Sequence, residues 1–503
     1  MKVYLIGAGP GDPGLLTIKG KNAIEAAGVI VYDYLAAPQL LAFAKPDAEK
    51  IYVGKKGGDH TLSQEGISQL LVQLAKEGKT VARLKGGDPF IFGRGGEEIE
   101  ELIRHHIPFE IIPGVTSPIA AAAYAGIPLT HRAHTATVAF ATGHEDPNKT
   151  ESNIDFDALS KIGTVVFLMG IKNLPNIVEN LLACQKPVDT PVAVIRWGTT
   201  ARQKTVTGTL TTIVGEVKKA KLTAPAITVV GDVVNLRSEM KWFENRPLFT
   251  KTIAVTRSRA QASDLVEKLT SLGATVIETP TIEINPPEDN YAQLDTAIEN
   301  LEKYDWLAFT SVNGVDSFFE RLFQKGLDAR TMGHMKTAAI GPQTAKRLQS
   351  YGVRTDLLPE TYVAESVVAA FQKENMTGKT VLLPRAATAR PILPAALMKM
   401  GAKVDEVPAY QTIHVVESRE SLLHALRQKE IDTVTFTSSS TVTNFIEWIP
   451  KEEKDTLLDG IVFASIGPIT TQTAVENGLA VAVTAEAYTI DGLVDAIRNY
   501  YDV

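Results

Sequence analysis

Short apolar runs alternate with amphipathic stretches along the whole chain. Residues 3–6 form the first apolar run, and apolar side chains then recur at helical spacing over 15–27. In the second half, the apolar run 252–256 is followed by helical patterns over 263–272 and 316–325. Repeated alternation of this kind predicts an α/β fold in which parallel sheets are covered by helices.

A long glycine-rich segment interrupts this alternation at residues 83–98. It holds five glycines and one proline, too many for a regular helix or strand. An apolar run ends at Leu84, and an acid-rich helical pattern begins at Glu97. We assign the cationic side chains Arg83, Lys85 and Arg94 to the loop between them. Such a loop at a strand–helix junction is typical of a ligand site in an α/β sheet.

A second glycine-rich loop, residues 7–14, follows the first predicted strand directly. It departs from the dinucleotide-binding fingerprint, because Asp12 occupies the place of the third glycine and because Pro10 and Pro13 delay the helix. Taken alone, this loop is a weak signal for a nucleotide-like ligand.

Length and composition predict at least two folded units. A chain of 503 residues exceeds one ordinary domain, and 44% hydrophobic with 22% charged residues is typical of a globular protein. Near 242–251 an apolar segment ends and a polar connection precedes a new strand. We therefore expect domains at 1–245 and 251–503, joined by a short linker.

Several classes of function and location are disfavoured. A lone cysteine, Cys184, leaves no disulfide and suggests a reducing compartment. The pattern shows no membrane span or signal peptide, so we expect a cytoplasmic protein. The net charge of −7 argues against a nucleic-acid partner. The histidines show no metal-ligand spacing, and we predict no metal.

The second half contains an internal repeat. Residues 252–257 resemble 380–385, 309–311 resemble 436–438, and 340–344 resemble 466–470. A common spacing of about 127 residues is too long for a solenoid and indicates a duplicated α/β unit. We therefore expect two lobes.

Each lobe gathers an arginine, a Thr-Ser pair and a Gly-Pro pair where strands end and helices begin. Hydroxyls, backbone N–H groups and a guanidinium at such a junction favour anion binding. Two facing rims of this kind would hold a ligand with many carboxylates. The predicted rim residues are Arg257, Thr310, Ser311, Arg385, Thr437 and Ser438.

The N-terminal half resembles the uroporphyrinogen-III C-methyltransferases, which have the tetrapyrrole methylase fold of two α/β subdomains. The resemblance covers residues 1–245 and rests on the segments 3–16, 31–33, 53–55, 83–98, 113–117, 126–132, 142–144, 169–170, 198–200 with Gln203, and 229–231.

This resemblance implies that S-adenosylmethionine is the methyl donor. The residues that it places at the donor are Pro10, Gly86, Gly87, Asp88, Ile91, Thr116, Ser117, Met169 and Gly198. Met169 could equally be a core residue, as most lone methionines are.

The resemblance also implies roles at the macrocycle. Asp33 would accept the proton that a methylated ring must lose, although an aspartate at that position could simply cap the next helix. Lys55 would donate a proton or bind a substrate carboxylate. His131 and Arg132 would bind or position the substrate.

The C-terminal half, 251–503, resembles the uroporphyrinogen-III synthases through 255–257, 310–315, 340–345, 408–412, 437–445 and 466–470. That family implies two lobes linked by crossing strands near 279–284 and 407–413. The lobes would be 285–411, and 251–284 together with 412–503. Tyr410 is the candidate for assisting loss of water. Its alternative is a tyrosine packed where the lobes join.

The two resemblances imply a bifunctional enzyme. The C-half would cyclise hydroxymethylbilane to uroporphyrinogen III without a cofactor. The N-half would methylate that product twice to precorrin-2, for sirohaem or cobalamin synthesis, and would form a homodimer. The alternative is a methylase of a later corrinoid fused to a two-lobed binding module.

Overall fold

The chain folds into two compact units that follow the two halves of the sequence. The computed structural model describes residues 2–54, 62–144, 153–257, 259–359, 364–389, 391–414 and 416–502. The first unit comprises Met1–Thr252, Lys268–Thr275 and Tyr501–Val503, and the second comprises Ile253–Glu267 and Val276–Tyr500.

The first unit begins with a five-stranded sheet that is parallel throughout, in the order β3-β2-β4-β1-β5. Because all strands run the same way, their carboxyl ends meet at one edge. The elements are β1 Lys2–Gly7, α1 Ile18–Ala26, β2 Val29–Tyr32, β3 Glu49–Tyr52, α2 Gln64–Lys76, β4 Thr80–Lys85, α3 Gly95–Arg104, β5 Phe109–Ile112 and α4 Ser117–Tyr124.

Apolar side chains cover both faces of this first sheet. Val3, Val29 and Val81 pack against α2 and α3 on one face. On the opposite face, Ile6 and Ile30 pack against α1. Burial on both faces explains why these strands appear in the sequence as continuous apolar runs rather than as alternating ones.

A second, mixed sheet completes the first unit, in the order β6-β7-β10-β8-β9. Only β6 and β7 are parallel, and the other pairs are antiparallel. Helix α4 packs on this sheet through Ala121, Ala122 and Ala125, and so connects the two sheets. The elements are β6 Val138–Thr142, α5 Phe156–Lys161, β7 Thr164–Leu168, α6 Leu174–Ala183, β8 Pro191–Arg196, β9 Lys204–Thr209, α7 Ile213–Lys219, β10 Ala226–Val230 and α8 Arg237–Met240.

The second half of the chain contains two further five-stranded sheets. One has the order β12-β11-β18-β19-β20, and the other β13-β17-β16-β14-β15. The elements are β11 Thr252–Val255, α9 Arg259–Ser271, β12 Thr275–Glu278, β13 Ile282–Asn285, α10 Ala292–Glu299, β14 Trp306–Phe309, α11 Val312–Gln324, β15 Lys336–Ala339, α12 Pro342–Ser350, α13 Ala364–Phe371, β16 Thr380–Ala386, α14 Ile392–Lys399, β17 Lys403–His414, α15 Val416–Arg427, β18 Thr433–Phe436, α16 Ser439–Trp448, α17 Lys454–Leu458, β19 Val462–Ser465, α18 Pro468–Glu476, β20 Val481–Thr484 and α19 Ile490–Tyr501.

The geometry confirms the duplication seen in the sequence and adds an exchange of strands. β14 and β18 each lead into a serine-capped helix, and β15 and β19 each lead into a helix with proline in its first turn. The first strand of each repeat lies in a sheet with strands of the other repeat. β11 of the first repeat pairs with β18 of the second, and β16 of the second repeat pairs with β14 of the first. Each sheet therefore contains strands from both repeats.

Two strands link the sheets of this half. β13 pairs antiparallel with the end of β17, with Ile284 opposite Thr412. Both segments were expected as crossing strands, near 279–284 and 407–413. The pairing extends to Asn285 and His414 and places both strands in the sheet that contains β14.

We predict that Phe318→Ala lowers the free energy of unfolding of the second unit by about 3–5 kcal/mol, because a fully buried ring leaves a cavity. Phe318 is 0% exposed, and the centroid of its ring lies 5.6 Å from that of Phe309. The matched control is Phe323→Ala on the same helix, where the ring is 49% exposed. It should cost less than about 1 kcal/mol. Urea unfolding followed by near-ultraviolet circular dichroism measures both, and equal costs would contradict the packing described.

Candidate active sites

Three loops meet at the carboxyl edge of the first sheet. Gly9 and Gly87 exchange backbone hydrogen bonds of 3.2 and 2.7 Å, so the loop after β1 is fastened to the loop after β4. Gly87 has a φ of +72° and so adopts a left-handed conformation that favours glycine. The two glycine-rich segments of the sequence thus form one continuous surface that includes Pro10, Gly86 and Gly87.

Asp88 ties the third loop, which follows β5, to this surface. Its Oδ1 accepts hydrogen bonds from the backbone N–H groups of Phe90 and Ile91, at 2.8 and 3.2 Å. Its Oδ2 accepts one from the N–H of Gly114 at 3.0 Å, just before Thr116 and Ser117. Both oxygens are used within the protein, so Asp88 shapes the loops rather than presenting an unbound charge.

The second sheet contributes a loop to the same place. The backbone N–H of Asp12 donates to Thr199 Oγ1 at 3.1 Å. Gly198 lies so close to α4 that an added Cβ would stand 2.3 Å from Ala121 Cβ. The carbonyl oxygen of Gly198 would lie 3.5 Å from a Cβ added to Gly11, so Gly198 lies beside the loop that follows β1.

Asp12 and Tyr124 also hold these loops together, although neither was predicted to do so from the sequence. The Tyr124 hydroxyl donates to Asp12 Oδ2 at 2.6 Å. Burial, together with this hydrogen bond, raises the pKa of Tyr124 well above its usual range. The departure of residue 12 from the dinucleotide fingerprint was the available signal.

Two predicted donor residues present exposed apolar surface. Met169 is 51% exposed, which excludes the core alternative, and its backbone has a φ of +58°. Ile91 is 38% exposed. Ile91 thus places apolar surface in the loop that Asp88 holds, and Met169 follows directly after β7.

Asp33 follows β2 at the same edge. Its Oδ1 accepts a hydrogen bond from Leu35 N–H at 3.0 Å, and its Oδ2 lies 3.1 Å from the Arg83 guanidinium. The next helical turn, Pro38–Phe43, has Ala37 at its N-cap. Asp33 therefore does not cap that turn, and its side chain remains 25% exposed.

The assignment of Arg83 and Lys85 to a basic loop was wrong. Both lie on β4, with 2% and 5% of their surface exposed, on the same face as Val81. Their charges meet Asp33 and the fully buried Glu98. Arg94 does lie in the loop, and it pairs with exposed Glu97 at 2.7 Å.

Three further residues of this half, Lys55, His131 and Arg132, were predicted to contact the substrate. Lys55 falls outside the described residues. His131 forms an isolated bridge with Thr135, and its ring lies 4.9 Å from that of His134. Arg132 is exposed. In the described part of the chain, no hydrogen bond joins His131 or Arg132 to the three glycine loops.

One rim of the second half lies at the ends of β14 and β16. Ser311 caps α11 by accepting a hydrogen bond from Gly314 N–H, and it also accepts one from the Tyr410 hydroxyl, each at 3.1 Å. Thr310, beside it, is half-buried. Arg385 is 4% exposed, and its guanidinium donates to Glu406 at 2.9 Å.

Tyr410 is a core residue whose hydroxyl lies at the rim. Its ring is only 8% exposed and packs in the core with Phe309 and Val407. Its hydroxyl nevertheless reaches the rim through Ser311. Packing thus fixes the ring while the hydroxyl stays at the polar edge.

The other rim, at the ends of β11, β18 and β19, is rich in hydroxyls. Ser438 caps α16 and lies 2.9 Å from Ser440, and Thr437 precedes it. Ser465 and Thr471 lie 2.5 Å apart. Arg257 follows β11, and burial lowers its pKa. The structure thus brings a guanidinium and several hydroxyls to one sheet edge.

Comparison with known proteins matches both halves. A profile of the tetrapyrrole (corrin/porphyrin) methylases matches residues 2–214, and a profile of uroporphyrinogen-III synthase HemD matches residues 263–495. The porphyrin biosynthesis protein HemD of Ruminiclostridium josui is 38% identical over 99% of this chain and 99% of its own.

Two further relatives match the first half. The S-adenosyl-L-methionine-dependent uroporphyrinogen III methyltransferase of Methanosarcina barkeri is 56% identical over 47% of this chain and 92% of its own. The solved uroporphyrin-III C-methyl transferase of Thermus thermophilus, complexed with S-adenyl homocysteine, is 38% identical. It covers 47% of this chain and 100% of its own, with a TM-score of 0.40.

The fold and these matches define a tetrapyrrole-biosynthetic enzyme with two α/β catalytic halves. The chain belongs to the family that fuses a tetrapyrrole methylase to a uroporphyrinogen-III synthase. Its N-half is an S-adenosylmethionine-dependent methyltransferase, and the predicted α/β class is confirmed.

In the described residues, no helix is both long and apolar enough to cross a bilayer. They also contain no group of three or more His, Cys, Asp or Glu side chains arranged to hold a metal ion.

We predict that Asp88→Ala weakens binding of S-adenosylmethionine by about tenfold or more, because three backbone N–H groups lose a charged acceptor. Asp88→Asn keeps one acceptor oxygen and should have an intermediate effect. Isothermal calorimetry on the full chain measures both. Formation of uroporphyrinogen III should stay unchanged, and unaltered donor affinity in Asp88→Ala would show that the loop does not shape the donor site.

Proposed function

We propose that this chain performs two consecutive steps of tetrapyrrole synthesis. The C-half removes the hydroxyl of hydroxymethylbilane as water, inverts the last pyrrole ring and closes the macrocycle to uroporphyrinogen III. The N-half then transfers two methyl groups to pyrrole carbons, which gives precorrin-2 for sirohaem or cobalamin synthesis. The observation that carries the methylase part is the junction of three loops at one sheet edge, through the Gly9–Gly87 bonds and Asp88.

The joined loops suit the methyl donor. Gly86 leaves no room for a side chain, since an added Cβ would lie 2.5 Å from Leu35 Cβ, so a ligand there meets backbone. In this proposal the polar ends of the donor contact the loop backbone, and its apolar parts contact exposed side chains. The residues concerned are Pro10, Gly86, Gly87, Asp88, Ile91, Thr116, Ser117, Met169 and Gly198. S-adenosylmethionine supplies an electrophilic methyl group when bound.

Asp33 is the proposed proton acceptor of the methylase. A new bond between carbon and methyl leaves the macrocycle with an excess positive charge, and loss of a proton neutralises it. Asp33 is partly exposed at the same edge as the donor loops, and its Oδ2 is oriented by Arg83. Lys55 is the proposed proton donor or carboxylate partner. His131 and Arg132 are proposed to position the substrate.

In the synthase half, the two hydroxyl-rich rims are proposed to bind the carboxylates of the linear substrate. Arg257, Thr437 and Ser438 would serve on one rim, and Arg385, Thr310 and Ser311 on the other. Tyr410 would assist departure of the hydroxyl, because its own hydroxyl is hydrogen-bonded to Ser311 at the rim. Ring closure otherwise depends on positioning.

Three further parts of the proposal concern assembly, cofactor need and partners. We propose a homodimer formed through the methylase half, and a synthase half that needs no cofactor, both because of the family resemblance. We propose no nucleic-acid partner, because the net charge is −7.

The decisive experiment supplies the full chain with hydroxymethylbilane and labelled S-adenosylmethionine and identifies products by mass and isomer. The proposal requires uroporphyrinogen III without the donor and a doubly methylated product with it. Cyclisation without methylation would favour a later corrinoid as the methylase substrate. Methylation of added uroporphyrinogen III without cyclisation would reduce the C-half to a binding module.

We predict that Asp33→Asn slows methyl transfer by roughly 10²–10⁴-fold, which is typical for loss of a general base. The amide keeps the size of the side chain and the acceptor for Leu35, so donor affinity should persist. Single-turnover methylation of uroporphyrinogen III and donor calorimetry measure the two quantities. A rate reduced less than threefold would remove Asp33 from the chemistry.

We predict that Tyr410→Phe slows cyclisation by about tenfold or more, because general acid assistance from the hydroxyl is lost while the buried ring stays in place. Tyr351→Phe is the matched control, since that hydroxyl bonds to Asp316 away from the rim. The initial rate of uroporphyrinogen III formation measures both. An equal rate in Tyr410→Phe and the wild type would leave Tyr410 a packing residue.

A further inference from the structure

A cluster of charged side chains lies buried directly behind Asp33. Arg83 and Lys85 reach it from β4, and Glu98 reaches it from α3. Lys85 Nζ lies 2.5 Å from Glu98 Oε1, which is also 3.6 Å from Arg83 Nε. Gln64, at the start of α2, donates to the same oxygen at 3.0 Å. The side chains of Arg83, Lys85 and Glu98 are 3%, 6% and 0% exposed.

The strand explains why these charges are inside. Alternate residues of a strand face the same side of a sheet, so Arg83 and Lys85 share the face of Val81, which α2 and α3 cover. Buried charges are strongly destabilising unless they are paired. Arg83 and Lys85 on one side, and Glu98 and Asp33 on the other, balance each other.

The buried cluster reaches the surface at Asp33, through Arg83. Arg83 uses one terminal nitrogen on the carbonyl oxygen of Leu84, at 2.8 Å, and the other on Asp33 Oδ2, at 3.1 Å. Among the described residues, Arg83 Nε and Glu98 Oε2 have no hydrogen-bond partner. The guanidinium is thus held by the Leu84 carbonyl and by the charge of Glu98. Its remaining terminal nitrogen donates to the partly exposed carboxylate of Asp33.

We infer that Arg83 is the positioning residue for Asp33, and that Glu98 with Lys85 fixes the guanidinium from behind. The inference rests on the proposed role of Asp33 as the proton acceptor. Arg83 stays buried and does not touch the substrate in this scheme. It aims the oxygen that receives the proton.

Other titratable groups lie close to Asp33. Tyr52 on β3 is close enough that, after burial, the charge of Asp33 raises the pKa of the Tyr52 hydroxyl, and Tyr32 and Tyr34 contribute less. Burial, then Arg83, lowers the pKa of Lys85, while Glu98 and Asp33 oppose that change. Lys55 lies outside the described residues. Arg83 is the cation in direct contact.

The test measures methylation of uroporphyrinogen III by the full chain. Arg83→Met should lower kcat about tenfold or more with KM unchanged, because the carboxylate loses the group that orients it. Arg83→Lys keeps the charge but cannot contact both Leu84 and Asp33, so its kcat should also fall about tenfold with KM unchanged. In the Asp33→Asn background, Arg83→Met should cause no further loss.

Arg104→Met is the matched control, because Arg104 is an exposed arginine at the end of α3 that pairs with Glu101. It should leave both kcat and KM unchanged. Calorimetric binding of S-adenosylhomocysteine shows whether each variant keeps a folded donor site. If Arg83→Met no longer binds S-adenosylhomocysteine, the same rates are measured on Arg83→Lys and on the double variant of Arg83→Lys with Asp33→Asn.

The outcomes separate two failures. If Asp33→Asn retains the wild-type rate, the proton-acceptor role is wrong and the inference fails with it. If Asp33→Asn is inactive but kcat in Arg83→Met or in Arg83→Lys is unchanged, the inference alone is overturned. A further rate loss on adding Arg83→Met to Asp33→Asn would also overturn it, because Arg83 would then act independently of Asp33.

Discussion

The methylase half depends on a pair of backbone hydrogen bonds between two glycines in different loops. Gly9 and Gly87 approach so closely that the loops after β1 and β4 behave as one surface. The other features of the site are placed relative to this contact. Asp88 attaches the loop after β5, and Thr199 attaches a loop of the second sheet through Asp12. Because these are contacts between backbones or to backbone N–H groups, they leave side chains such as Met169 and Ile91 exposed to a ligand.

Much of this arrangement was accessible from the sequence. The glycine-rich loops that follow β1 and β4 were located correctly, because few other structures tolerate so many glycines. The serine caps at Ser311 and Ser438 and the prolines that begin α12 and α18 were also evident as repeated motifs. Local chemistry of this kind acts within a few residues of chain, so a sequence displays it directly.

Contacts between distant segments were harder to anticipate. Arg83 and Lys85 were taken for loop cations because they flank a run of glycines. The alternation of Val81, Arg83 and Lys85 was a signal that they share a face. Their burial, however, requires Glu98 on a helix that only the fold brings near. The roles of Asp88 and Asp12 likewise depend on Gly114, Thr199 and Tyr124, which no spacing rule connects to them.

The exchange of strands between the two repeats has a consequence for how the C-half is made. Thr256, just after β11, bonds to Thr435 on β18, which emerges from the ribosome 179 residues later. The sheet that holds β11 therefore stays incomplete through most of translation of this half, with an unpaired strand edge available to other chains. Long sequence separation between paired strands also slows folding. The last strand of the sheet that holds β14 and β16 ends at His414, whereas β20 of the other sheet ends at Thr484, so synthesis of all strands of the former sheet is completed first.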